Sequence, residues 1–206
     1  MNVFIVRMAM ANFTNESTGS VSRKEWTNLY KGINYANQCL DNIPNVPESS
    51  SEVASLKKQA IAEARFLRAF YYYRLYINFG EIIPIFLHQL EGTEEEFYPN
   101  QAAPGQLVEL IEKELTEVQA DLPEKYDADN GGRATRYAAA ALLGKFYMFR
   151  HELDKAEKQF EKLIGKFELV DNYYDNFDGM HENNKESILE VQFTGDVSGG
   201  HSEYNV

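Results

Sequence analysis

The longest regular pattern of apolar positions runs from Val53 to Phe79, a stretch that contains neither proline nor glycine. Strong helix formers dominate its first half, which predicts one long helix. Apolar residues recur three and four positions apart in two rows on different sides of this helix. The rows are Val53, Leu56, Ala60, Ala64, Leu67, Tyr71, Leu75 and Ala62, Phe66, Ala69, Tyr73, Ile77. Two such rows indicate a helix that packs against several partners and is buried along most of its length, with Phe66 and Leu67 both in the core.

Helical periodicity predicts further helices on both sides of the long one. They are Arg23–Leu40, Leu107–Leu122, Thr135–Phe149 and Leu153–Gly165. Ser22 is expected to cap the first of them, with Glu25 as its capping-box partner. Gly80 is expected to end the long helix. Alternation over Ile188–Phe193 is typical of a short strand.

The last two predicted helices have the spacing of a tetratricopeptide unit, carried by Leu143–Tyr147 and Ala156–Phe160. Gly144 is small where two helices of a hairpin would touch, and Phe160 is expected to fill the seam to a neighbouring hairpin. A weaker copy spans Trp26–Leu29 and Ala62–Ala69. Repeats of this kind bury their faces against one another.

The predicted fold is therefore mostly α, with tetratricopeptide-like helical hairpins, long irregular loops and minor β. The hairpins are expected at about residues 23–79 and 135–165, within a single domain over residues 1–206. The longest loops are Asn12–Ser22, the acidic stretch Glu91–Gln101, and Gly195–Val206.

Charge excludes one class of partner. The chain has 20 basic and 32 acidic residues, a net charge of −12, and no cluster of lysine and arginine. A phosphate backbone would be repelled, so we expect no nucleic-acid partner. The single cysteine, Cys39, permits no intrachain disulfide and is predicted to be a small buried hydrophobe.

Motifs for metal binding and catalysis are incomplete. His151-Glu152 and His181-Glu182 begin like a zinc-protease motif, but lysine occupies the position of the second histidine in both. A calcium loop around Asp178 would place Tyr174 at its first ligand position. We therefore expect no catalytic residues, no metal and no cofactor. The abundant acidic residues leave glycoside hydrolysis as a distant possibility.

The order of residues from Glu63 to Tyr73, followed by Phe79-Gly80 and an Ile-Pro segment, resembles the signature helix of the SusD/RagB family. These are glycan-capturing lipoproteins of Bacteroidetes outer membranes. Similar segments occur at Trp26–Asn37, at Gly131–Leu143 and after Phe167. The family more often has one residue fewer between this glycine and the proline. The resemblance covers about residues 26–192, and family members extend beyond both ends, so the sequence is expected to be an N-terminal to central fragment.

The resemblance implies non-catalytic capture of a glycan or other nutrient, an oligo- or polysaccharide above all. The captured ligand would pass to a SusC-like TonB-dependent transporter. It also implies a surface-exposed position at the outer membrane, with a lipid anchor outside this chain. In the family the tetratricopeptide-like part mainly faces the transporter, and irregular loops hold the ligand. Loop residues with suitable rings or amides are Phe13, Asn15, Tyr98 and Tyr204. The alternative is a tetratricopeptide adaptor that binds a peptide or protein partner.

Overall fold

The computed structural model describes residue 12 and residues 19–127 and 130–191. These residues fall into two compact units, with the boundary between Asp121 and Leu122. The predicted single domain over residues 1–206 stays a prediction.

The first unit is built on two long helices. Its helices are α1 (Ser20–Asn42), α2 (Ser51–Phe79), α3 (Glu94–Phe97) and α4 (Gln106–Glu117), with short 3-10 helices at Ile43–Asn45 and Val118–Ala120. Helix α2 packs against both α1 and α4. The prediction of a long helix with more than one partner is confirmed.

The second unit contains the other predicted hairpin, formed by α5 (Arg136–Phe149) and α6 (Leu153–Phe160). Short 3-10 helices follow at Glu161–Leu163 and Tyr173–Asn176. The two hairpins confirm the mostly α fold. The segment Ile188–Val191 forms no strand, because no other extended segment of the described chain pairs with it. The minor β prediction is wrong at these residues, and the rest of that predicted strand lies outside the described residues.

Two helix starts differ from the sequence prediction. Helix α1 begins at Ser20, because the Gly19 carbonyl already accepts a hydrogen bond from the Arg23 amide at 3.0 Å. Ser22 therefore lies inside the helix, and the predicted capping role of Ser22 is wrong. The segment Glu91–Gln101, predicted to be irregular, contains the single turn α3, which a capping box of Thr93 and Glu96 stabilises.

Each hairpin places an aromatic ring over a glycine of the partner helix. A Cβ atom added to Gly32 would lie 2.5 Å from ring carbons of Tyr71, and one added to Gly144 would lie 2.6 Å from the ring of Phe160. The helices can approach closely at these points only because glycine has no side chain. Phe160 thus packs within its own hairpin. This contact differs from the predicted one, in which Phe160 would pack against a neighbouring hairpin.

Burial along α2 is uneven. Phe66, Ala69, Tyr72 and Leu75 are at most 1% exposed. Leu56 and Leu67, in contrast, are 57% and 44% exposed, so the expectation that Leu67 is in the core is wrong. These two leucines are eleven residues apart, about three helical turns, and share a strip that the described residues leave open.

Cys39 of α1 is also exposed, contrary to prediction. The buried stripe of this helix runs through Leu29, Ile33, Ala36 and Asn37. Cys39 lies at the edge of that stripe, where solvent reaches it.

A buried charge pair joins α2 to α4. The Arg68 guanidinium binds the Glu114 carboxylate with two nitrogens, and its Nε lies 3.2 Å from Glu114 Oε2. Arg68 is 8% exposed and Glu114 is 2% exposed. The same guanidinium donates to Asn37 Oδ1 at 2.8 Å and to the Leu87 carbonyl at 3.1 Å. Its remaining donors are therefore satisfied by α1 and by the chain that follows α2.

Residues 84–90, which we call the clamped segment, lie extended against α1 and α2. The Asn37 amide donates to the carbonyls of Phe86 and His88 at 3.0 and 2.9 Å. Tyr30 donates to the Pro84 carbonyl at 2.7 Å, and the Tyr72 hydroxyl accepts the Phe86 amide at 2.7 Å.

The end of the clamped segment is held by two further side chains of α1. Asp41 accepts the Gln89 amide at 2.7 Å, and Asn34 accepts the Leu90 amide at 2.8 Å. Hydrogen bonds from the Gln89 amide and from His88 lower the pKa of the Asp41 carboxyl below its usual range. Asp41 therefore remains an ionised acceptor at neutral pH, and the whole segment is fixed by side chains.

Replacing Phe66 by alanine is expected to lower the free energy of unfolding by about 3–5 kcal/mol, because the buried ring leaves a cavity. Leu67→Ala is the matched control on the same helix and is expected to cost about 1 kcal/mol or less, since Leu67 is exposed. Chemical denaturation of both variants measures the difference. Equal losses would show that the two residues share one environment.

Replacing Glu114 by alanine is expected to cost about 3–5 kcal/mol, because it leaves the buried Arg68 cation without its counter-charge. Glu109→Ala, which removes an exposed carboxylate from the same helix, serves as the control and is expected to cost less than about 1 kcal/mol. If Glu114→Ala unfolds at the same denaturant concentration as the parent chain, the charge pair does not stabilise the unit.

Candidate functional site

An open cleft of about 750 Å³ lies within the second unit. Loops build it: the connection that precedes α5, the turn after α6, and the irregular segment near residue 185. The first turn of α5 contributes Tyr137. The lining residues are Glu124, Lys125, Tyr126, Gly131, Gly132, Arg133, Thr135, Tyr137, Gly165, Lys166, Phe167, Glu168, Asn183, Asn184, Lys185, Ser187 and Ile188.

Backbone and cap hydrogen bonds position these loops. Thr135 caps α5 by accepting the Ala138 amide at 3.1 Å, and the Arg136 amide donates to the Pro123 carbonyl at 3.0 Å. The Glu168 amide donates to the Lys185 carbonyl at 3.1 Å, which joins the turn after α6 to the more distant segment. The cleft therefore has walls from three parts of the sequence.

Aromatic rings in the cleft are paired with cations. The Arg133 guanidinium lies 5.4 Å from the centroid of the Tyr126 ring, and Arg133 also donates to Asn130 Oδ1 at 3.0 Å. The Lys166 ammonium lies 5.5 Å from the centroid of the Tyr137 ring. Phe167 meets Tyr137 edge to face, with 5.8 Å between the centroids. These contacts hold the rings and cations in place.

A hydrogen-bonded group of three side chains lies on one wall. Hydrogen bonding to the Tyr137 hydroxyl lowers the pKa of Glu124 and raises the pKa of Lys166. Lys166 lies 3.9 Å and Arg136 3.4 Å from Glu124. Glu124 is therefore ionised and faces two cations at neutral pH.

Rings, amides and cations on a loop-built cleft are suited to binding a polar ligand. Aromatic rings offer apolar faces, and the charged and amide groups offer directed hydrogen bonds. Sequence reasoning placed ligand contacts on loops but did not select these loops. The available signal was the concentration of Tyr126, Arg133 and two glycines in one connection, since glycines permit close approach to a ligand.

One of the four candidate ligand residues named from the sequence lies in the described chain. Tyr98 follows α3 in the first unit and is 83% exposed. Phe13, Asn15 and Tyr204 lie outside the described residues. Tyr98 is not among the residues that line the cleft. A ligand role for these four residues stays a prediction.

One group of side chains in the described chain has the composition of a metal site. Ligand atoms of Asp175, Asp178 and His181 lie within 4.8 Å of one another. The His181 Nδ1 atom is 2.8 Å from Asp178 Oδ2, and Asp178 also accepts the Met180 amide at 2.8 Å. An ion pair explains this geometry. The expectation of no bound metal stays a prediction.

None of the helices in the described parts of the chain is long and apolar enough to cross a membrane.

The Asp178 carboxylate is expected to keep the pKa of His181 above its ordinary value, because it stabilises the imidazolium. The favourable ion pair is present above the lowered pKa of Asp178 and is lost as the pH rises through the raised pKa of His181. A histidine NMR titration should show the raised value, and Asp178→Asn should return it toward the ordinary value. An imidazole that fails to titrate until a chelator is added would instead indicate a bound metal.

Solved structures with similar folds support a common family. A SusD-like carbohydrate-binding protein from Bacteroides fragilis NCTC 9343 aligns with a TM-score of 0.79 and 30% identity, over 88% of this chain and 35% of that protein. A laminarin-binding SusD-like protein aligns with a TM-score of 0.77 and 31% identity, over 89% of this chain and 40% of that protein.

Among curated proteins, a SusD-like protein of Formosa agariphila is 27% identical over 197 residues, which cover 92% of this chain and 36% of the relative. A SusD-like protein of Bacteroides ovatus is 27% identical over 185 residues and is covered to 32%. This chain thus spans about a third of the length of the curated relatives that it matches.

The SusD-like family model described as "Starch-binding associating with outer membrane" matches residues 5–148. The match covers more than half of the chain and includes the long helix α2 and all but the last residue of helix α5. The resemblance to the SusD/RagB family is therefore confirmed, and this chain belongs to the SusD-like family.

Proposed function

We propose that this chain takes part in the capture of oligo- or polysaccharides at the bacterial outer membrane, without catalysis. The captured glycan would then pass to a SusC-like TonB-dependent transporter. The observation that carries the proposal is the family match over residues 5–148, whose description names starch binding and the outer membrane. The likeness to a laminarin-binding protein at 31% identity supports a glycan as the ligand.

The chemistry of the cleft supports binding rather than hydrolysis. Glycoside hydrolysis needs a carboxylic acid that stays protonated near neutral pH to protonate the leaving group. In the described part of the chain, the carboxylates that line the cleft are Glu124 and Glu168. The pKa of Glu124 is lowered, since it faces Lys166 and Arg136 and bonds with Tyr137. Glu124 is thus unsuited to act as the general acid.

The peptide-adaptor alternative has less support. An adaptor of this class would hold an extended peptide backbone with side chains of a helical hairpin. In the first hairpin, Asn37, Tyr72 and Arg68 already bind the clamped segment. The protein's own chain therefore occupies the groups that an external peptide would need.

The position at the outer membrane and the transporter partner are inferred from the family. A gene for a large TonB-dependent transporter directly beside this one would support delivery to such a transporter. Co-purification of the two products would test the contact itself. If no such gene is adjacent and no such transporter co-purifies, the proposed delivery to a transporter is contradicted.

The purified full-length gene product is expected to bind a polysaccharide from a panel of neutral and acidic glycans, with weak affinity that falls in steps as aromatic rings are removed. Tyr98→Ala, Phe13→Ala and Tyr204→Ala each remove a predicted loop contact, and affinity electrophoresis measures the change. Tyr35→Ala removes a tyrosine that is 64% exposed on helix α1 and is the matched control.

Loss of binding in a loop variant but not in Tyr35→Ala would support the predicted loops. If the three loop variants bind as the parent chain does, those loops do not hold the ligand. If the full-length parent protein binds no glycan of the panel, the proposed capture function is contradicted.

A further inference from the structure

The cleft of the second unit differs in charge from the rest of the chain. Among the described residues, four cationic side chains line it, together with the carboxylates of Glu124 and Glu168. The cations are Lys125, Arg133, Lys166 and Lys185. The described part of the lining thus has a net charge of +2, although the whole chain has a net charge of −12. A cationic lining in a strongly acidic protein selects for negative charge in whatever enters it.

From this contrast we propose that the cleft binds anionic saccharides, those with uronate carboxylates or sulfate esters. The inference rests on the proposed function, since it takes the ligand to be a glycan. It adds the chemical class of that glycan and assigns the residues that select it.

Arg133 is the residue best placed to bind an anionic group. Its guanidinium is held against the Tyr126 ring, at 5.4 Å from the centroid, and is oriented by Asn130. A planar guanidinium offers two parallel N–H donors that match a carboxylate or a sulfate. Because the side chain is already oriented, less rotational freedom is lost when the ligand binds.

Two of the other cations take part in exposed ion pairs. Lys166 lies 3.9 Å from Glu124, and Lys185 lies 3.6 Å from Asp171, whose side chain is fully exposed. Exposed ion pairs of this length are weak and exchange readily with other anions. Glu124 also faces Arg136, at 3.4 Å, so part of its negative charge is offset from outside the lining.

The acidic remainder of the chain does not cancel this effect. At physiological ionic strength, charges more than about 8 Å apart are largely screened from one another in water. A bound anion therefore interacts more strongly with the cations inside the cleft than with most of the acidic surface. The rings of Tyr126 and Phe167 supply apolar contacts that a neutral part of the sugar can use.

The test compares polygalacturonate and chondroitin sulfate with neutral laminarin on the purified chain. Lys125→Gln/Arg133→Gln removes two cations from the cleft. Arg23→Gln/Lys24→Gln removes one arginine and one lysine from the exposed start of α1 and is the control with the same net charge. Titrations at about 20 mM and about 200 mM NaCl measure the salt dependence.

We expect the parent chain to bind at least one acidic polymer, and the cleft variant to bind it about tenfold or more weakly at low salt. The control variant should remain within about twofold of the parent. The difference between cleft variant and parent should shrink at the higher salt concentration. Circular dichroism of each variant verifies that the helices remain folded.

Three results would overturn the inference. Equal weakening in both double variants would show that only the overall charge matters. Binding of laminarin alone, unchanged in the cleft variant, would contradict an anionic ligand but leave the proposed glycan capture intact. Failure of the parent protein to bind any of the three polymers would contradict the anionic ligand, whereas the proposed glycan capture is contradicted only if no glycan of the wider panel binds.

Discussion

The first unit depends on a buried ion pair. Moving Arg68 and Glu114 out of water is costly, and their attraction offsets that cost only when the remaining donors and acceptors are satisfied. Asn37 Oδ1 and the Leu87 carbonyl accept hydrogen bonds from the guanidinium that the Glu114 carboxylate does not accept. One guanidinium thereby fixes the spacing of α2 and α4, the rotation of α1 and the path of the chain after α2. Apolar packing alone would allow these elements more than one arrangement, since hydrophobic contact is not directional.

The sequence predicts the helices of this fold well, because the spacing of apolar residues indicates which face of each helix is buried. It does not indicate which other part of the chain packs against that face. Phe66 and Leu67 are adjacent and both apolar, but only Phe66 is buried. Asn37 and Glu114 are polar residues of a kind usually found on the surface. Both are buried here, where Arg68 from another helix binds them and Asn37 also binds the clamped segment. Such pairings depend on contacts more than thirty residues apart, which local patterns do not encode.

The candidate cleft was harder to predict for the same reason. Its walls come from separate loops that meet only after α5 and α6 have packed, and no single motif contains the set. The net charge of the whole chain, −12, gave no sign of the cleft, because a sum over all residues hides a local excess of cations. The family resemblance identifies the class of protein, and the local charge is the basis of the proposed anionic ligand, which family membership leaves open.

The clamped segment has a consequence for how this region can change in evolution. Irregular connections usually tolerate insertions, because few of their backbone groups are committed. Here successive residues are in fixed register, from the Pro84 carbonyl on Tyr30 to the Leu90 amide on Asn34. One inserted residue would shift every later bond to the wrong partner. The additional residue that the family resemblance assigns to this chain falls between Gly80 and Pro84. Ile83 is buried and its carbonyl accepts the Ala102 amide at 3.1 Å. Length can therefore vary at Glu81 and Ile82, which lie before these contacts, without disturbing the clamp.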